Sequence, residues 1–273
     1  MVQSSEALRQ EDTNSGLKKR IISASVMTPV AVAAVWFGSP YFELLIFVFS
    51  VGMMWEWTRM CVPNHVQSIS VVCAVALGVS MLLLATGEYR FVALSIVVAA
   101  ITAALRPGKN RILAAFGIVY ISVAAIAAQW LRVTHDDGLL MIMWLFFLVW
   151  ATDTGAYVFG KVIGGPKLAP RFSPKKTWAG LVGGMLCAAL IGGLITYFSG
   201  DAILVSIVLA SAALAVIAQI GDLGESALKR HFKVKDSSNL IPGHGGLLDR
   251  ADGMLSVFPV AFAIVYFIGL SLR

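Results

Sequence analysis

Residues 112–131, ILAAFGIVYISVAAIAAQWL, run for twenty positions without a charge between Arg111 and Arg132. A helix rises about 1.5 Å per residue, so twenty residues reach about 30 Å, the depth of a bilayer's hydrocarbon core. The run is apolar all round. Lipid offers no partner to an open strand edge, so such a segment spans as a helix.

Runs of the same character recur at 21–38, 44–57, 69–86, 91–105, 139–160, 179–198, 202–225 and 253–270, of which 44–57 and 91–105 are short for a span. Composition agrees. The chain of 273 residues is 58% hydrophobic and 13% charged, with mean hydropathy +0.83, whereas soluble domains hold about a quarter charged residues. The expected fold is all-α and polytopic, with about nine transmembrane helices. Residues 1–20 form a polar segment without the apolar core of a signal peptide, so the first apolar run is expected to be retained. Residues 21–138 then supply N-terminal transmembrane helices, and 139–273 a C-terminal membrane region carrying the chemistry.

Charge sets the expected orientation. With the N-terminus in the cytoplasm, eighteen of the 21 Lys and Arg fall on the inner side; Arg90, Arg132 and Arg273 fall outside. The inner segments 161–178 and 226–252 are the long, polar ones, so a cytoplasm-facing site in the inner membrane is expected. The net charge of +6 is accounted for by these loops and anionic headgroups, with no call for nucleic acid. Cys61, Cys73 and Cys187 are scattered without metal or disulfide spacing and read as packing residues.

Acids inside spans are costly and face a partner or a cavity. Glu56 in WEWTR has Arg59 three positions on, which suggests a structural ion pair. Asp153 in ATDTGAYVFG has no basic residue within a turn; a polar cavity and a structural hydrogen-bond network remain equal readings. In GGPKLAPRFSPKKTWAG, Ser173 and Pro174 read as N-cap and first helical residue, placing Lys175, Lys176 and Thr177 in a first turn. Lysines there oppose the helix dipole unless an anion lies between them; the plainer alternative is two cytosolic lysines following the inner charge bias.

The densest chemistry is 219–253, QIGDLGESALKRHFKVKDSSNLIPGHGGLLDRADG. If 219–230 is helical, Asp222, Ser226, Lys229 and Arg230 share a face. The loop with His244, Gly245 and Gly246 permits close backbone approach and could turn successive N–H groups toward an anion. Asp249 and Asp252 lie three apart beside Arg250, sharing a face on a helical turn. Three carboxylates (Asp236, Asp249 and Asp252) among five cations suit Mg²⁺ and a polyphosphate, since Mg²⁺ takes one or two carboxylates plus phosphate oxygens.

Ser226-x-x-Lys229-Arg230, Lys235-Asp236 and His244-Gly245-Gly246-x-x-Asp249-Arg250-x-Asp252 together resemble the signature of phosphatidate cytidylyltransferases, or CDP-diacylglycerol synthases. DTGAYVFGKVIG and SPKKTWAG are similar to further blocks of that family, with Ala179 standing where many members carry Glu. The motifs lie between about residues 150 and 253. The resemblance implies CTP and phosphatidic acid as substrates and Mg²⁺ as cofactor, with room for a second cation. On this reading Asp222, Ser226, Lys229, Arg230, Asp249 and Arg250 carry catalysis. Lys175, Lys176, Thr177, His244, Gly245 and Gly246 grip the nucleotide, and Asp236, Asp249 and Asp252 hold metal. A CTP-dependent polyprenol kinase needs similar parts and differs by its product. A proton-coupled transporter would use Asp153, Asp222 and Glu56 but needs a polar path outward, and the outer halves of these spans are almost free of ionisable residues. The Gly180-x-x-x-Gly184 spacing allows tight packing within the chain or in a homodimer.

Overall fold

The computed structural model describes residues 23, 25–199, 204–241, 243, 245–270 and 272. The polar segment 1–20 and His244 lie outside the described residues.

Nine α-helices occur among them: α1 (Ser25–Phe37), α2 (Tyr41–Cys61), α3 (Val66–Ala85), α4 (Tyr89–Ala104), α5 (Arg111–Val133), α6 (Gly138–Val162), α7 (Trp178–Ser199), α8 (Leu204–His231) and α9 (Leu248–Ile268). Seven are long and apolar enough to cross a membrane; α1 and α4 are shorter. The chain is thus an all-α polytopic membrane protein, with seven helices rather than nine of full spanning length among the described residues. At 16 residues α4 reaches only about 24 Å. The run at 44–57, by contrast, belongs to a helix of 21 residues. Hydropathy cut it short because Glu43, Thr58 and Arg59 are polar, yet Thr58 is fully buried and the backbone continues through it.

Two groups of helices meet along α9. In the first half α2 packs on α3 and α5, and α4 on α3 and α5; in the second α6, α7 and α8 pack in succession. Helix α9 lies against α8 and also against α5, so both apolar cores include residues of α9. The Gly180–Gly184 face packs within the chain. A Cβ on Gly180 would stand 2.7 Å from the carbonyl oxygen of Ala156, and one on Gly184 2.9 Å from that of Thr152, so bare backbone is what lets α7 meet α6. Cys61 and Cys73 are buried and all three cysteines are free.

One local expectation is overturned. Ser173–Thr177 is not a helical turn but strand β2, antiparallel to β1 (Lys167–Ala169). Pro174 fits because a two-stranded ribbon has an open edge on each side. The N-cap of α7 is Thr177, whose hydroxyl accepts the N–H of Gly180 at 3.0 Å. Capping at Thr177 rather than at Ser173 leaves 173–177 free to pair with 167–169.

Candidate active site

Residues of α6, α7, α8 and α9 and of strand β2 surround a polar pocket of about 410 Å³. Asp153 and Tyr157 enter from α6, Lys175, Lys176 and Thr177 from β2, Gln219 and Asp222 from α8, and Asp249, Arg250 and Asp252 from α9. Strand geometry explains the two lysines, because alternate side chains point to opposite faces. Lys176 turns inward and pairs with Asp222 at 2.6 Å, while Lys175 stays exposed at the mouth. Asp153, Asp222 and Asp252 are close enough to feel one another's charge, and Lys176 and Arg250 act on Asp153 with the opposite sign. Asp153 therefore faces a polar cavity, the question its sequence context left open.

Beneath the pocket lies a second cluster centred on Lys229. Its ammonium contacts Asp249 Oδ1 at 2.7 Å and Glu225 Oε1 at 2.9 Å, with both acid side chains at most 5% exposed. Asp249 Oδ2 accepts the N–H of Gly246 at 2.8 Å, the N–H of Ser237 at 2.9 Å and the Ser237 hydroxyl at 2.9 Å. Asp249 is thus held on all sides by the loop it follows. Replacing one partner of such a buried pair leaves an uncompensated charge, whereas a surface pair is worth little.

The loop glycines do different work from that expected. Ile241 donates its N–H to the Gly245 carbonyl at 2.8 Å, and Gly243 and Gly245 take φ of +78° and +87°, closing a tight turn. The N–H of Gly246 then points at Asp249, and those of Leu247 and Leu248 at Glu56, at 2.8, 2.9 and 2.8 Å. The anions facing this amide nest are the protein's own carboxylates. A Cβ on Gly246 would collide with Ser237 Oγ and the Glu56 carboxylate, which is why no larger residue fits.

Of the residues singled out in the sequence, Lys175, Lys176, Thr177, Asp222, Asp249, Arg250 and Asp252 line the pocket. Ser226 sits one turn behind, its hydroxyl donating to Asp222 Oδ1 at 3.3 Å. Lys229 is committed to its two acids rather than open to a ligand. Arg230 is exposed and donates to the Val234 carbonyl at 3.5 Å, because 80° of helical turn carries it off the face of Asp222. Asp236 is exposed on the loop and is not among the residues lining the pocket. Gly245 and Gly246 shape the loop without lining the pocket.

Two residues went unrecognised or misread. Glu225 was legible as the i, i+4 partner of Lys229. Glu56 does not pair with Arg59, which is exposed and stacks over Trp55 at 5.3 Å.

The pocket's carboxylates bear on whether a divalent cation would fit. Among the described residues no three His, Cys, Asp or Glu side chains converge closely enough to hold a metal by themselves. Asp222 and Asp252 nevertheless face one pocket with Lys175, Lys176 and Arg250 around them. That suits an ion bringing its remaining ligands as phosphate oxygens and water, the habit of Mg²⁺.

Known proteins resemble the chain over most of its length. The model of the cytidylyltransferase family matches residues 18–268. The chain is 36% identical over 261 residues to a phosphatidate cytidylyltransferase of Brucella suis, covering 93% of this chain and 94% of that protein. The phosphatidate cytidylyltransferase of Haemophilus influenzae is 33% identical over 286 residues, with 92% and 99% covered. That of Staphylococcus haemolyticus is 30% identical over 252 residues, with 89% and 97% covered.

Proposed function

The chain belongs to the cytidylyltransferase family, and from that membership and the pocket we infer its reaction: it transfers CMP from CTP to phosphatidic acid, giving CDP-diacylglycerol and pyrophosphate. The observation that carries this reading is the position of Arg250. It lines the polar pocket and also an apolar groove of about 290 Å³ bounded by side chains such as Met27, Phe49, Ala128, Phe146 and Phe258, from α1, α2, α5, α6 and α9. A substrate with a phosphate at one end and acyl chains at the other matches such a junction. The groove takes chain carbons, Arg250 the lipid phosphate, and the polar pocket the triphosphate.

An oxygen of the lipid phosphate forms the new bond to the α-phosphorus of CTP. The bond from that phosphorus to the bridging oxygen breaks, its electron pair leaving with pyrophosphate. The nucleophile is already an anion, so the barrier lies in bringing two anions together, and no strong base is required. Lys175, Lys176 and Arg250 bind and orient the phosphates by charge-assisted hydrogen bonds. Asp222 fixes Lys176, and the Asp249–Lys229–Glu225 cluster holds Arg250 and Asp252 in place from below. We assign Asp222 and Asp252, with Asp153 beside them, to hold Mg²⁺, which would supply positive charge to screen the repulsion between the two anionic substrates.

Incubation of the purified protein with cytosine-labelled CTP, phosphatidic acid and Mg²⁺ should give a labelled lipid. Label remaining wholly in CDP, with phosphate moved to a lipid, would instead indicate a kinase. In the same assay Lys175→Gln should lower kcat/KM for CTP by about tenfold to a hundredfold while leaving the KM for phosphatidate within about twofold, since one charge-assisted contact is worth about 1.5–3 kcal/mol. Normal kinetics with a lower insertion yield would reduce Lys175 to a topology signal.

The pocket opens, on this reading, to the cytoplasm, as the eighteen inner Lys and Arg support. Single cysteines replacing Asn239 and Glu88, both exposed and at opposite ends of the bundle, test it in a cysteine-free background. In intact cells an impermeant maleimide should label Glu88→Cys and spare Asn239→Cys; the reverse would put the site outside.

A further inference from the structure

The carboxylate of Glu56 is fully buried on α2, and no Lys or Arg forms an ion pair with it among the described residues. Its partners are all donors from the loop before α9. Oε1 accepts the Ser238 hydroxyl and, at 2.9 Å, the Leu247 N–H. Oε2 accepts the Leu248 N–H at 2.8 Å and lies 3.0 Å from the Ser237 hydroxyl, whose one proton it shares with Asp249. Each contact joins residues more than 180 apart in sequence. Two of the donors are free amides at the start of α9, where a negative charge is favoured by the helix dipole. The Ser237 hydroxyl also lies 2.9 Å from Asp249 Oδ2, so a single proton stands between the two acids.

We propose that Glu56 is a positioning residue for cytidylyl transfer, pinning the Ser237–Leu248 loop so that Asp249, Arg250 and Asp252 enter the pocket at fixed register. It acts through the loop and touches no substrate. A shift of about 1 Å in groups that orient reactants costs about a hundredfold in rate. Nothing in the C-terminal motifs contains this residue; the first half of the chain reaches the active site through it.

The inference rests on the reaction given above, and the experiment separates the two. Wild-type turnover of CTP with phosphatidate tests the reaction; the ratio of variant to wild type tests Glu56. Glu56→Gln keeps the shape but turns one acceptor into a donor facing donors. Its kcat per folded molecule should fall roughly a hundredfold, with faster amide exchange at Leu247 and Leu248 and unchanged exchange in α6 and α7. Glu56→Asp, which keeps the charge but is one methylene too short to reach all four donors, should lose about tenfold, and it carries the test if Glu56→Gln does not fold. Arg59→Gln, removing the neighbour that Glu56 does not contact, should stay within about twofold of wild type, as an exposed side chain outside the hydrogen-bonded network would. A kcat per folded molecule within threefold of wild type for Glu56→Gln, or for Glu56→Asp where that variant carries the test, would overturn the proposal. So would an equal loss in Arg59→Gln.

Discussion

Asp249→Asn should reduce turnover by about two to four orders of magnitude while the chain still inserts and keeps its helices. Asp249 joins Lys229 through one oxygen and three donors of the loop through the other. Asparagine replaces one of those oxygens with an NH₂ group. Whichever way the amide is turned, a donor then meets either the ammonium or the N–H groups of Ser237 and Gly246. Two charge-assisted contacts at about 1.5–3 kcal/mol each, at 1.4 kcal/mol per tenfold, give the stated range. The apolar faces that drive insertion are untouched, so yield in the membrane should hold. Activity per inserted molecule within threefold of wild type at saturating Mg²⁺ would show that Asp249 matters to neither loop nor catalysis.

The second large effect is expected at Lys229. Its side chain is the only cation in ion-pair contact with Glu225 and Asp249 among the described residues, and these are 5% and 4% exposed. Lys229→Met leaves two buried negative charges facing each other without compensation, a loss of about 3–5 kcal/mol. The variant should melt well below wild type in detergent and be inactive. Adding Glu225→Gln removes one of the two charges, so the double variant should regain much of the lost stability without regaining turnover, because Asp249 still lacks its partner. This non-additivity is the signature of direct coupling. A double variant as unstable as Lys229→Met alone would mean that Lys229 supports the fold through packing of its alkyl stem rather than by charge. A fully active Lys229→Met would remove the cluster from the mechanism.

Much of this organisation is legible in the chain itself. Apolar runs such as 112–131 dictate helices, since a bilayer satisfies no backbone group left open. Asp222, Asp249 and Asp252 stand out because a carboxylate in or beside a span needs a partner or a cavity, while Lys175, Lys176 and Arg250 could also have served the inner charge bias. They do meet in one pocket. Helix ends were harder to read wherever polar residues are buried, as at Thr58 in α2, because hydropathy counts a residue's polarity and not its surroundings.

What the sequence by itself determined, then, is an all-α polytopic membrane chain with its charge gathered near 161–178 and 226–252, both of which follow from local composition and spacing. Only the tertiary structure decided how those residues divide their roles. Asp236 and Arg230 carry the same charges as pocket residues yet do not line it, whereas Asp153, far upstream, does. The glycine loop turns its amides toward Glu56 and Asp249, and Lys229 turns toward Glu225 and Asp249. The physical reason is that a hydrogen bond or ion pair between residues 181 apart leaves no periodic trace in the chain. Burial makes such contacts strong, and burial is a property of the folded bundle alone.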